Sequence, residues 1–371
     1  MMRSLKKALI NIPGWRTSRR IVVLVSDDWG AIRTPSEAAL DRLRRDGVRV
    51  DDCHYMLNDR LESAEDFQCL FDVLKSFEDK QGRSPVLTAN FLTANPDFER
   101  ICSSGFSEYF SKSIVQTYEE TAGAERNMGV LQDAISQHIC LPQSHGREHL
   151  NVARWMADLQ QDDAVARAAF DHGMFGVSAH TTVPRRQSYM AAFDGLEDGH
   201  CRQIVSDALT SFREIFGFDS RSFIAPNYVW GSSLESEAKA HDVDYLQSGA
   251  VQRLPERGKT GRRRRHFQGQ RNAIGQRYLV RNVHFEPSSD LNSDWVRLAL
   301  KDISIAFRLR KPAVVSTHRV NYMGGLQVSN RDRGVTLLKS LLGRVVKRWP
   351  DVEFLSAVEL GDAMSAGASA K

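Results

Sequence analysis

Two adjacent carboxylates, Asp27 and Asp28, close an apolar run, Ile21-Val22-Val23-Leu24-Val25-Ser26. The run is short and rich in β-branched residues, which reads as a strand buried on both faces. Neighbouring carboxylates repel; they are tolerated when a cation shares them or when one takes up a proton. In α/β folds the carboxyl ends of parallel strands are where ligands bind. The pair is therefore the acidic half of a site, or a solvated turn capping the next helix. His145 and His149 are four residues apart, which puts both imidazoles on one face of a helical turn, within reach of one ion. They follow Ile139-Cys140-Leu141-Pro142, read as a strand end. His318 ends a third apolar run, Ala313-Val314-Val315-Ser316-Thr317. Ile224-Ala225-Pro226-Asn227-Tyr228 and His284-Phe285-Glu286-Pro287 put more polar residues at strand ends, where a structural role is equally open.

One aspartate and two neutral histidines are a three-ligand set for a divalent metal, with a position left for water. The ion brings that water's pKa from about 15.7 toward roughly 7. The second carboxylate can take its proton as general base, and a histidine opposite can protonate the leaving group. Such machinery hydrolyses amides or esters. A glycosidase pair, Asp27 with Glu286, is an alternative that needs no metal and carboxyl oxygens roughly 5–9.5 Å apart. It leaves the histidines without a task.

The elements that must position these groups alternate. Strands are expected at 21–26, 85–92, 139–142, 175–179, 222–226, 245–248, 277–285, 313–318 and 352–355. Helices are expected at 35–45 (Ser36 as N-cap), 64–79, 150–161, 201–216, 233–241 and 333–349. Short apolar strands alternating with helices mean parallel strands joined by helical crossovers. Seven or eight units over 371 residues suit a closed barrel in one domain. The expected division is a basic N-terminal segment at 1–20, a barrel at 21–362, and a tail at 363–371. Residues 97–140 read as an insertion and 251–275 as an exposed basic loop around Arg262-Arg263-Arg264-Arg265.

A net charge of +4 over this length excludes a global nucleic-acid field. Five dispersed cysteines without a CxxC point to reduced thiols and against a thiolate zinc site. The apolar part of the first twenty residues is too short for a membrane span and poor as a signal peptide. A cytoplasmic protein is expected, with residues 1–20 as the one segment suited to peripheral membrane contact.

The ordered motifs resemble those of the polysaccharide deacetylase (NodB-homology) family. They are Ser26-Asp27-Asp28-Trp29-Gly30, Thr88-Ala89-Asn90-Phe91-Leu92, His145-Gly146-Arg147-Glu148-His149, Ala225-Pro226-Asn227-Tyr228 and Ser316-Thr317-His318. The resemblance covers about 20–362. It implies a distorted (β/α)7-type barrel and a zinc or similar divalent transition metal. It also implies a carbohydrate or polysaccharide precursor that loses acetyl groups. Residue by residue it makes Asp27 the catalytic base and His318 the acid. Asp28, His145 and His149 become metal ligands, and Pro226 and Tyr228 groove residues. Trp29, Asn90, Asn227, Arg319, Asn321 and Tyr322, in or beside these motifs, and Glu286 of His284-Phe285-Glu286-Pro287 complete the expected substrate contacts. The chain departs from the family pattern in four places. Trp29 separates the Asp pair from Gly30, Gly146 replaces a Ser/Thr, and Ala225 stands where an arginine would orient the base. The interval between Asp28 and His145 is also long. These departures make a glycan-binding or polysaccharide-assembly accessory protein on the same fold the alternative reading.

Overall fold

The computed structural model describes residues 10–177, 188–255 and 262–366. Nine strands among them form one sheet: β1 (Arg20–Trp29), β2 (Leu87–Phe91), β3 (Cys140–Ser144), β4 (Ser222–Ile224), β5 (Tyr245–Ser248), β6 (Arg277–Val280), β7 (Val283–His284), β8 (Ala313–His318) and β9 (Val352–Phe354). Their order is β6-β5-β4-β3-β2-β1-β8-β7, and β9 pairs with the start of β1. Every pairing in this sheet is parallel. The strand expected over 277–285 is two pieces because it changes partners. Arg281 N donates to Ser248 O beside β5, whereas Asn282 N donates to Val314 O on β8. One extended segment thus joins the two edges of the sheet and gives a distorted (β/α)7-type barrel.

Parity along β1 separates two cores. Val22 and Leu24 pack outward with helix residues such as Phe67, Leu70 and Leu338. Ile21, Val23 and Val25 point into the barrel with Leu279 and Val314. The floor is helix Ala357–Ala366, whose Val358, Leu360 and Met364 join this inner cluster. Above it lies a polar layer of Asn90, Gln143, Ser222 and Gln247, linked by hydrogen bonds of 2.7–3.0 Å. The ionisable groups of the site come above that layer.

Several elements differ from expectation. His145–His149 is a loop, and the next helix, Val152–Gln160, starts later. Phe175–Val177 are not a strand, and Ser178 and Ala179 lie outside the described residues. Residues 97–140 are not a mere insertion: helix Asn127–Ser136 is the crossover into β3, with Leu131 and Ala134 in the main core. The basic loop contains a short antiparallel hairpin, Val251–Arg253 with Arg263–Arg265. The helix over Asp362 continues to Ala366, so only 367–371 of the expected tail fall outside the description. Residues 13–15 are tied to the barrel because Lys311 Nζ donates to three of their carbonyls at 2.6–2.8 Å. Of the segment 1–20 read as suited to peripheral membrane contact, residues 1–9 lie outside the described residues. No helix among the described residues is long and apolar enough to cross a membrane.

Candidate active site

In a regular strand, successive side chains alternate between faces, so Asp27 and Asp28 could not both face the barrel. The β1–β2 register shifts between Ser26 and Trp29, and Asp28 has φ 73°. Such a bulge inserts an extra residue and resets parity. Asp27 and Asp28 both turn to the cavity, and Trp29 joins the outward set. Gly30 follows at φ +83°, where a Cβ would lie 2.7 Å from Leu92 O, so glycine is required there. Asn227 and Tyr228 are also left-handed, at φ 55° and 56°. These backbone conformations cost energy and cluster around one cavity, as they do at functional sites.

Asp28, His145 and His149 converge, each offering one ligand atom within 4.8 Å of the others. His145 Nε2 is 3.2 Å and His149 Nε2 3.6 Å from Asp28 Oδ1. His145 Nδ1 lies 2.9 Å from Ile224 O, and only a protonated nitrogen can bond a carbonyl. In the neutral ring that leaves the Nε2 lone pair facing a carboxylate oxygen, an arrangement that a cation between them relieves. Burial brings His149 down to about 3, so its ring is neutral, the form that binds metals. The donor set, one carboxylate and two imidazoles, fits zinc or a similar divalent transition ion. The loop reaches this geometry through Gly146 at φ +104°.

Asp27 has its own cations. Arg281 grips it with two bonds, Nη1 to Oδ2 at 2.5 Å and Nη2 to Oδ1 at 2.7 Å. Asn90 Nδ2 donates to Oδ1 at 2.7 Å. Burial opposes ionisation of Asp27, but Arg281 and the neighbouring histidines outweigh it and bring the pKa to about 2. His318 pairs in register with Asp27 across β1 and β8, and its Nε2 lies 3.8 Å from Asp27 Oδ2. His318 Nδ1 bonds Glu286 Oε1 at 2.7 Å. Burial disfavours the imidazolium, yet Glu286 and the aspartates raise its pKa to about 9. An ionised carboxylate and a protonated imidazole thus face each other across the cavity.

Asn227, Tyr228 and Glu286 line this cavity of about 510 Å³. Six other expected substrate contacts do not. Trp29 is fully buried and stacks on Phe67 at 4.9 Å, with Nε1 donating to Ser26 Oγ. Asn90 lies beneath Asp27 in the polar layer, and Pro226 is buried. Arg319 is fully buried, donating to Asp59 Oδ1 at 2.9 Å and pairing with Glu62 and the Ala31 carbonyl. Asn321 holds the far oxygen of Glu286 at 2.7 Å, and Tyr322 bonds Thr317. The sequence reading missed Arg281, which reaches Asp27 from the closing segment, where an arginine at position 225 was expected to do so. It sits between two short strands with no motif around it, so only the register reveals it. Arg33 was also missed; its Nη2 donates to Asp28 Oδ2 at 3.0 Å.

No protein-family model and no curated relative matches the chain. Solved structures do match it in shape. Puue allantoinase superposes with a TM-score of 0.51 at 10% identity, over 95% of this chain and 94% of that one. A probable polysaccharide deacetylase from Pseudomonas aeruginosa gives 0.49 at 9% identity, over 93% and 91%. A 4-alpha-glucanotransferase from Thermococcus litoralis gives 0.45 at 8%, with this chain spanning only 40% of its length. At these identities the likeness concerns the fold.

Proposed function

We propose that the protein is a metal-dependent hydrolase that removes acetyl groups from a carbohydrate or polysaccharide precursor. The observation that carries this reading is the buried Asp28-His145-His149 set, in which the Nε2 atoms of both histidines converge on one oxygen of Asp28. Asp28, His145 and His149 would hold the ion, which when bound supplies Lewis acidity toward an acyl carbonyl and acidifies water. Asp27 accepts the proton. Arg281 and Asn90 fix the orientation of its carboxylate. His318, protonated at neutral pH, delivers a proton to the leaving nitrogen or oxygen, and Glu286 fixes its tautomer through Nδ1. Asn227 and Tyr228, which line the cavity, would contact the sugar. The carbohydrate assignment rests on the ordered motifs, and the hydrolytic assignment on the geometry.

The test is to load purified protein with zinc, remove excess metal, and follow acetate release from N- and O-acetylated sugars beside elemental analysis. About one ion per chain and chelator-sensitive acetate release are expected. Metal-free protein that releases acetate at the same rate would defeat the mechanism.

A further inference from the structure

Arg33 stands beside the candidate ligand set, and the proposed hydrolysis gives it no task. Its Nη2 donates to Asp28 Oδ2 at 3.0 Å, but Nη1 faces Met190 Sδ at 3.3 Å, a weak acceptor. Its Nε is buried without a hydrogen bond, 3.5 Å from Asp59 Oδ2. The guanidinium lies 5.3 Å from the Tyr55 ring centroid, so the head is fixed as well as underused. A guanidinium has five donors, and withdrawing it from water without matching acceptors is costly. Elsewhere in the site Arg281 forks onto Asp27 with two bonds, Arg319 donates to Asp59 and Glu62, and His318 bonds Glu286, whereas Arg33 makes one bond to Asp28 and a longer ion pair with Asp59. Arg33 also lines the cavity, whose volume suits a small or terminal sugar unit.

We propose that Arg33 is the recognition point for an oxyanion on the substrate, a carboxylate or phosphate carried close to the acyl group. Nη1, which now meets only a thioether, together with the second hydrogen of Nη2 can offer either group two parallel bonds. Met190 is unbranched and adaptable, so it can yield the place. Five carboxylates (Asp27, Asp28, Asp59, Glu62 and Glu286) stand against four cations (Arg33, Arg281, Arg319 and His318), so a divalent ion would tip the loaded site to a net positive charge and make it receptive to an anion. The position of the acyl group rests on the hydrolytic reading; the anion site does not.

The experiment is calorimetric titration of the full chain, metal-free and zinc-loaded. The probes are N-acetylglucosamine, N-acetylglucosaminuronate and N-acetylglucosamine 1-phosphate. At least one acid should bind about tenfold or more tighter than the neutral sugar, the low end for a charge-assisted bond. Whichever acid gains identifies the source of the charge. Arg33→Gln should remove that preference and leave zinc stoichiometry and neutral-sugar affinity within about twofold, while Arg33→Lys, which keeps charge but loses the fork, should restore part of it. Equal affinity for all three probes, no saturable binding of either acid, or an Arg33→Gln loss common to acid, neutral sugar and zinc would overturn the proposal. Acetate release is followed in parallel. Arg33-dependent anion binding without release defeats the hydrolytic reading alone, and release without charge preference defeats the anion site alone.

Discussion

Asp27 and Asp28 are chain neighbours, yet their surroundings differ in kind. Asp27 is held by a rigid bidentate arginine and an amide that are themselves anchored in the polar layer of the barrel. Its charge is compensated by protein alone. Asp28 divides its oxygens: Oδ2 meets Arg33, and Oδ1 meets two imidazole nitrogens. One carboxylate is finished by a rigid donor pair, while the other shares an oxygen with two groups that could hold an ion beside it. Two adjacent charges on one strand are thereby given separate roles, because compensation, not sequence position, decides what a buried carboxylate can do.

Replacing Asp28 should break this contrast most severely. Asp28→Ala is expected to abolish stoichiometric zinc binding and to lower acetate release by more than the roughly 100-fold typical of groups that merely support a ligand. Elemental analysis and initial rates measure both.

Removing the partner of the finished carboxylate comes next. Arg281→Met strands a buried charge and should cost about 3–5 kcal/mol in denaturant unfolding. Zinc binding should persist, because Arg281 touches Asp27 and none of the three candidate ligands. Arg281→Met combined with Asp27→Leu should regain most of the stability and none of the activity.

A smaller effect concerns pH. The His318 pKa is raised to about 9, from an ordinary value near 6.5. The stabilisation it contributes is therefore complete below about 6.5 and is lost as pH rises through about 9. Acetate release should fall along the same alkaline limb, where the acid loses its proton. Glu286→Gln should move that limb to lower pH, which a pH–rate profile of wild type and variant would show.

Least of all should Trp29→Phe matter to chemistry. It loses the bond to Ser26 Oγ and some packing, about 1–2 kcal/mol, with rates and zinc binding unchanged. A large loss of rate at full stability would return Trp29 to the cavity side of the comparison.

Much of the frame was legible in advance because it depends on local pattern. Runs such as Ile21–Val25 and Ala313–Val315 are apolar on both faces whatever surrounds them, and Ser36 before an amphipathic stretch caps a helix wherever it lies. Helix Asn127–Ser136 was hidden inside an expected insertion because its pattern is weak and its burial comes from partners distant in sequence. Arg319 and Trp29 looked like site residues because they adjoin motif residues. Adjacency in the chain says nothing about side-chain direction once a bulge or a 3-10 turn intervenes.

By itself, the sequence determined which residue types stand at the ends of which strands: two carboxylates, two spaced histidines and one terminal histidine, on an alternating framework. Only the tertiary structure decided which of them face one another. The bulge at Asp28 put both carboxylates on one side of β1, and a loop rather than a helix brought His145 and His149 together. Closure of the sheet through Arg281 and Asn282 delivered the arginine that position 225 lacks. Each decision depends on pairing between strands far apart in the chain, where a shift of one residue reverses the face a side chain presents.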